Sequence, residues 1–355
     1  MTQRTLAGIL AVPLLIGLWL TAALVPLPFV TYEPGLTVNV LGDNDEGEEI
    51  IEVTGRRAYR DDPGQLRMTT VYVSQPRPKG KNNLFELMRD WISDESAVYP
   101  YDAVYRKDET VEQNREEGAA QMTSSQDVAT AVALEEMGLD VTEPVVSAVS
   151  DGTPADGVLE PGDVILSVDG EKVTTSDEVV DEVTSVEPGE EVTLVVRRDG
   201  ERTRVVLAPE EVDGRPQLGV SVGTQVKPDL PVDVTININP SIGGPSAGLM
   251  FSLGIYDTLT PGSLTGGAVI AGTGTIDAAG QVGPIGGVQQ KIVGAREAGA
   301  ELFLVPPANC ADALGAPNED MRLVRADTVH DARMAIDAWV KDPDAELPSC
   351  EEASA

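Results

Sequence analysis

Gly243-Gly244-Pro245-Ser246-Ala247-Gly248-Leu249-Met250-Phe251-Ser252-Leu253 runs from two glycines and a proline into an apolar stretch. This predicts a loop-to-helix junction with Ser246 in the first turn. A serine there can expose its hydroxyl, and the unpaired backbone N–H groups of a helix start can receive a developing oxyanion. A serine that only caps the helix fits the same residues. Just upstream, Val232-Asp233-Val234-Thr235-Ile236-Asn237-Ile238-Asn239 alternates apolar and polar residues and predicts a half-buried strand, which Pro240 ends.

A nucleophilic serine needs a base. His330 is the only imidazole in the chain, far along at Asp327-Thr328-Val329-His330-Asp331, which leaves lysine as the other candidate. Gly286-Gly287-Val288-Gln289-Gln290-Lys291-Ile292-Val293-Gly294-Ala295-Arg296-Glu297-Ala298-Gly299 reads as a helix ended by glycine. Lys291 shares a face with Ala295 and Ala298. Apolar packing there would lower its pKa toward the range of a neutral base. A lysine that snorkels to solvent is the alternative on spacing alone.

Together these segments resemble the proteolytic domain of the Lon peptidases. Gly244-Pro245-Ser246-Ala247-Gly248 is similar to that family's nucleophile motif, Gly272-Thr273-Gly274-Thr275-Ile276 to its Thr-Gly strand, and Pro284-Ile285-Gly286-Gly287-Val288-Gln289-Gln290-Lys291 to the segment ending in its catalytic lysine. The resemblance implies Ser246 as nucleophile, Lys291 as general base and later acid, Thr273 as a hydrogen-bond partner of the lysine, and the Ser246 amide in the oxyanion hole. Gly243 stands where Lon enzymes usually carry an acidic residue, so the packing or gating of the site should differ. No Gly-x-x-x-x-Gly-Lys-Ser/Thr phosphate loop occurs, so ATP-driven unfolding is not expected and substrates should be extended or unfolded already.

From Val145 the texture changes to short β-rich runs, Val145–Val149, Val164–Val168 and Val192–Arg197, punctuated by Gly and Pro, with one helix that Ser176 can cap. Ala155-Asp156-Gly157-Val158-Leu159-Glu160-Pro161-Gly162-Asp163-Val164-Ile165-Leu166-Ser167-Val168-Asp169-Gly170 resembles the PDZ domains of bacterial envelope proteases over about seventy residues. A PDZ fold adds an extended peptide to a sheet edge and holds its terminal carboxylate on the N–H groups of a loop. Gly138-Leu139-Asp140-Val141 takes the loop position by sequence order. A module that only spaces or docks the catalytic part is the alternative.

At the N-terminus, Leu6 to Val30 carries no charged side chain, enough to cross a hydrocarbon core of about 30 Å. Arg4 precedes it, while Glu33 and the acidic run from Asp43 to Glu49 follow. The positive-inside rule therefore puts the short N-terminus in the cytoplasm and the rest outside, as a single-pass protein of the cell membrane. A cleaved signal peptide, with Thr21, Ala22 and Ala23 near the cut, is the rival, though the stretch exceeds an ordinary h-region. Farther on, Glu49–Val53 and Leu66–Val73 suggest paired strands about Asp61-Asp62-Pro63-Gly64. Asn82–Ile92 and Val111–Met137 suggest surface helices packing one face, with their aromatic residues as filler.

The net charge of −34 over 355 residues, with 4% aromatics, argues against nucleic acid as a partner. Cys310 and Cys350, the only cysteines, either bridge to staple the C-terminal tail or stay free thiols. With one histidine they make no common zinc site, and neither metal nor cofactor is expected.

The expected fold class is α+β: a Lon-type proteolytic domain plus a β-rich PDZ domain, preceded by one transmembrane helix. The divisions are a cytoplasmic tail (1–5), the membrane helix (6–30), an N-terminal region (31–138), the PDZ domain (139–212), the proteolytic domain (213–345) and a C-terminal tail (346–355). The PDZ segment is either inserted into a peptidase split across 31–138 and 213–345 or set in tandem with it. The whole resembles a bacterial family of membrane-anchored, ATP-independent PDZ-Lon peptidases. That implies a serine-type endopeptidase for unfolded or specific envelope proteins, with PDZ-mediated peptide recognition and a homo-oligomer. A noncatalytic PDZ scaffold or adaptor is the other reading.

Overall fold

In the computed structural model, helix α1 (Gln3–Leu24) begins ahead of the apolar stretch Leu6–Val30 and ends before it does. Pro26 and Pro28 follow, and each lacks an N–H donor and pushes the residue before it toward extended backbone. Phe29 and Val30 instead open strand β1 (Phe29–Asn39), where Val30 is buried against Tyr101 and Tyr105. The expected span to Val30 is therefore too long by six residues at its C-terminal end, part of which is sheet core. Among the described residues no helix is long and apolar enough to cross a membrane. The described side chains of α1 are those from Leu10 onward.

The structure describes residues 3–60, 63–75, 82–106, 109–187, 190–212, 214–228 and 230–351. The turn residues Asp61-Asp62 and Pro188-Gly189, Asp213 and the end of the C-terminal tail lie outside them.

After β1 come β2 (Ile51–Thr54), β3 (Gln65–Val73), α2 (Leu84–Ile92), β4 (Ala97–Pro100), α3 (Tyr101–Val104) and the long α4 (Val111–Glu136). A β-rich module follows, with β5 (Thr142–Val149), β6 (Val164–Val168), β7 (Glu171–Lys172), α5 (Ser176–Ser185), β8 (Val192–Arg198) and β9 (Glu201–Leu207). The short hairpin β10 (Glu210–Val212) and β11 (Arg215–Gln217) leads to β12 (Val220–Val226). The chain then resumes with β13 (Asp233–Ile236), α6 (Gly248–Leu259), β14 (Val269–Gly272), β15 (Thr275–Ile276), β16 (Val282–Gly283) and α7 (Val288–Glu297). It closes with β17 (Leu302–Val305), α8 (Cys310–Ala313), β18 (Arg322–Arg325) and α9 (Val329–Lys341).

The main sheet has the order β18-β17-β14-β3-β1-β4. Its strands come from both sides of the β-rich module. Strands β14, β17 and β18 run parallel and β3 joins β14 in parallel, with Leu66 beside Ile270, while β1 and β4 complete an antiparallel edge. β2 and β3 do not pair with each other, as the sequence suggests; β2 pairs with β13, Val53 beside Val234. β13 is thus a strand as expected, over the shorter range.

α6 is buried along nearly its whole length, Leu249, Met250, Phe251, Leu253 and Ile255 all inaccessible. It packs on α4. That contact changes the reading of α4: Ala129, Ala131, Ala133 and Leu134 are buried in the same core, so its second half is an interior helix. Small alanines permit this approach from several sides. On α2 the correction is opposite, since Leu87 is its one buried apolar residue while Phe85 and Trp91 face outward.

The module is a second sheet, β12-β5-β6-β8-β9, with β7 on β6 and its own core of Val146, Ile165, Leu194 and Val196 beneath α5. Thr175, not Ser176, caps α5, in a capping box with Glu178. Two neighbouring chain passages join module and main body. On entry, Gly138 takes a left-handed turn after α4, and Glu135 Oε1 accepts from Val141 N, Thr142 N and Thr142 Oγ1. On exit, Lys227 N donates to Val141 O and its ammonium pairs with Asp140. Cys310 and Cys350 form a disulfide, both buried in the cluster that includes Val288 and Ile292 of α7.

Candidate active site

Ser246 sits just ahead of α6, whose first helical residue is Gly248 and whose N-cap is Ala247. It is thus not in the first turn as the Pro245 signal suggests, but on the loop that feeds the helix. That loop is pinned from three sides. Gly244 N donates to Gly118 O of α4 at 2.8 Å, with Gly244 in the positive-φ region where a side chain is strained. Ser125 Oγ of α4 donates to Pro245 O at 3.0 Å. Ser246 O accepts from both Gly274 N at 2.9 Å and Thr273 Oγ1 at 3.0 Å.

Gly243 explains itself here. A Cβ on it would lie 3.1 Å from the Gly118 carbonyl carbon, so any side chain there would crowd α4 and require a shift of a few tenths of an ångström. Gly118 and Ser125 were not singled out from sequence. Their role depends on a contact across 120 positions, and no local pattern marks it.

Lys291 enters from α7, whose N-cap Gly287 is left-handed. It is 3% exposed, so the snorkelling alternative does not apply. Its Nζ lies 2.7 Å from Ser246 Oγ and 2.9 Å from Thr273 Oγ1. Burial pushes the lysine pKa down to about 7, since desolvation disfavours the ammonium. Among the described residues lining the cavity there is no carboxylate to oppose it.

The direction of the hydrogen bonds follows from the proton count. The single hydroxyl proton of Thr273 goes to Ser246 O, so toward Lys291 the threonine can only accept. One N–H of the neutral amine is thereby held on Thr273, which leaves the nitrogen lone pair for Ser246 Oγ–H. Among the described residues the Ser246 backbone N–H has no acceptor, as an oxyanion donor requires.

The cavity over this centre has a volume of about 540 Å³. Tyr32 and Leu36 of β1, Thr69–Val73 of β3, Met122 of α4 and Ile242 line it. β14 covers β3 only from Gln65 to Met68, so beyond that point this side of β3 faces the cavity. An extended chain could add there as a strand.

The other expected binding segment lies elsewhere. Gly138, Leu139, Asp140 and Val141 form the entry passage described above, and the Val141 N–H is committed to Glu135. The module's sheet ends in β12 on one side and β9 on the other, and of these two edges β12 lies beside α5. Leu218-Gly219, between Gln217 of β11 and Val220 of β12, leads to it, with Gly219 at positive φ where a Cβ would run into the Thr153 side chain. The sequence signal was an apolar-Gly-apolar triplet after a turn, downstream of the module rather than upstream.

Comparison with known proteins agrees with this division. Residues 119–208 match the PDZ domain family, and residues 227–336 match the Lon protease C-terminal proteolytic domain. The first match begins inside α4 and ends before β12, whereas the module's sheet runs from Thr142 to Val226. The Lon protease of Phenylobacterium zucineum is 29% identical over 140 residues, 39% of this chain and 17% of that protein. A Brucella suis protein whose name describes a zinc metalloprotease is 34% identical over 86 residues, 24% of this chain and 22% of that protein. Among the described residues no group of His, Cys, Asp and Glu could hold a metal ion. The PDZ domain of the SdrC-like protein of Listeria monocytogenes covers 22% of this chain and 86% of its own, at 27% identity and a TM-score of 0.22. This chain thus spans about a fifth of the curated relatives it matches.

Proposed function

We propose that this chain, which joins a PDZ domain to a Lon-type proteolytic domain, is an ATP-independent serine endopeptidase acting through Ser246 and Lys291. The observation that carries the reading is the buried lysine, its pKa lowered to about 7, with Nζ 2.7 Å from a serine hydroxyl at a helix start. A neutral amine can take the Ser246 proton as Oγ attacks a peptide carbonyl. The oxyanion then forms toward the Ser246 N–H. The resulting ammonium returns its proton to the leaving amine, which breaks the C–N bond and leaves an acyl-serine. Water, giving its proton to Lys291, hydrolyses that ester and regenerates the serine. Thr273 holds the amine in register throughout and takes no part in proton transfer.

The substrates in this reading are unfolded or extended segments of envelope proteins. The absence of a phosphate-loop motif from the sequence supports independence from ATP. The β12 edge with the Gln217–Val220 loop is the peptide-recognition groove of the module, in place of Gly138–Val141. The uncharged stretch from Leu6 and the exposed Leu14, Leu15 and Leu18 of α1 support a membrane anchor with the catalytic body outside. The Cys310–Cys350 bridge fits an oxidising compartment.

The test is cleavage of a reduced, unfolded protein by the purified full chain without nucleotide, beside Ser246→Ala and Lys291→Ala. Both variants should lose cleavage while keeping their circular dichroism. Equal cleavage by all three would refute the dyad, and no cleavage by the unaltered chain would favour the noncatalytic scaffold.

A further inference from the structure

Helix α2 is amphipathic in the inverted sense. Asn83 and Glu86 close a full capping box at its start, so the nine-residue helix is locally specified rather than imposed by packing. Leu87 and Asp90 face the protein and are buried. Leu84, Phe85, Met88, Trp91 and Ile92, at spacings that place them on one face, are all exposed, Trp91 at 80% and Ile92 at 75%. An apolar face of this kind on an acidic chain calls for an occupant.

Its neighbours say which. Trp19 of α1 lies with its ring centroid 6.4 Å from that of Phe85. Leu27 N donates to Asn82 O at 3.0 Å, and Asn82 Nδ2 donates to Phe29 O at 3.2 Å and to Ser74 Oγ at 3.0 Å. These bonds fix the start of α2 at the point where α1 gives way to β1. Leu24 and Val25, the residues at that point, are exposed as well.

We infer that the outward face of α2 lies in the lipid headgroup and acyl boundary beside α1, as a second and interfacial membrane contact. Amphipathic helices bury such a face about 5–10 Å into that boundary, and tryptophan prefers the same level. The inference rests on the reading of α1 as an anchor. Its effect is to fix tilt and rotation: α2 packs on β4, β4 pairs with β1, and β1 carries Tyr32 into the catalytic cavity. A single helix with a four-residue connection would leave the body free to swivel. Two contacts hold the cavity at one orientation to the bilayer.

The two native cysteines are bonded to each other, so an introduced thiol can be labelled alone. Nitroxides at Met88→Cys, Trp91→Cys and Ile92→Cys, with controls at Glu86→Cys and Leu15→Cys, are read in the full chain. The vesicles are phosphatidylcholine and phosphatidylglycerol at about three to one. The expected result is an oxygen-to-nickel accessibility ratio at 88, 91 and 92 at least tenfold above that at 86, with 15 deeper still. Lipid signature at 15 with water-like values at 91 and 92 overturns the inference and leaves the anchor standing. Water-like values at 15 overturn the anchor and the inference with it. Labels at 91 and 92 shielded from both reagents overturn it in favour of a second copy covering the face.

Discussion

Thr273 Oγ1 stands between Lys291 and Ser246: it lies 2.9 Å from Lys291 Nζ and donates to Ser246 O at 3.0 Å. One hydroxyl thus fixes both the direction of the base and the carbonyl of the nucleophile. Replacement by Val removes the acceptor while keeping the shape. Thr273→Val should lower kcat roughly 10- to 100-fold, on the scale of a misaligned base. With one fewer group to solvate the ammonium, the midpoint of the pH profile should move further down. Thr273→Ser should restore both. An unchanged midpoint in Thr273→Val would remove the threonine from the base's environment.

The pH dependence follows from Lys291. In the proposed mechanism its amine is the active form, and its folded pKa of about 7 lies below the unfolded value of 10.5. Log kcat/KM should therefore climb with unit slope up to about pH 7 and level off above. Undiminished cleavage at pH 5 would contradict a lysine base.

Stability should also rise with pH through the same residue. Between pH 7 and 10.5 the unfolded chain binds a proton at this position that the folded chain does not, so its contribution rises with pH across that window. Below pH 7 the burial cost is complete. Lys291→Met should abolish cleavage yet stabilise the fold by a few kcal/mol at neutral pH, an order-of-magnitude figure read from denaturant midpoints. A destabilised Met variant would show that the amine's hydrogen bonds outweigh its desolvation.

The two facing glycines give an asymmetric pair. A Cβ on Gly243 meets Gly118 backbone at 3.1 Å, whereas a Cβ on Gly118 meets nothing nearer than 3.6 Å. Gly243→Ala should displace the nucleophile loop and depress kcat more than it raises KM. Gly118→Ala should be active and gain about 0.5–1 kcal/mol from helix propensity. Similar losses in both would mean the interface is tighter than this geometry.

The disulfide closes a loop over a separation of 40 residues. Chain entropy alone assigns such a closure about 4 kcal/mol. Cys310→Ala/Cys350→Ala should lose stability on that scale in urea melts, and since the bridge packs beside Val288 and Ile292 of α7, activity should become heat-labile first.

Local chemistry was legible in the chain and long-range contact was not. Ser246, Thr273 and Lys291 each lie in a short motif that resembles the Lon proteolytic domain, and that resemblance, rather than the local spacing, implies their roles. Gly118 and Ser125 act through a helix crossing that leaves no trace in α4's composition. β1 was absorbed into the apolar run because hydropathy does not separate a lipid-facing residue from a sheet-core one, and only Pro26 and Pro28 marked the change. The module's open edge was sought upstream, at Gly138–Val141, because sequence order was the only guide. The strand that forms that edge comes last.

The main sheet also sets the order in which the molecule can be made. Thr69 Oγ1 donates to Gly272 O across 203 positions, with the whole β-rich module emerging between them. β3 must therefore wait with one edge unpaired until β14 is synthesised, and such non-local parallel pairing is slow. The waiting strand lines the cavity with Thr69–Val73. No shorter nascent chain holds Ser246, Thr273 and Lys291 together, so this centre closes only in the last third of translation.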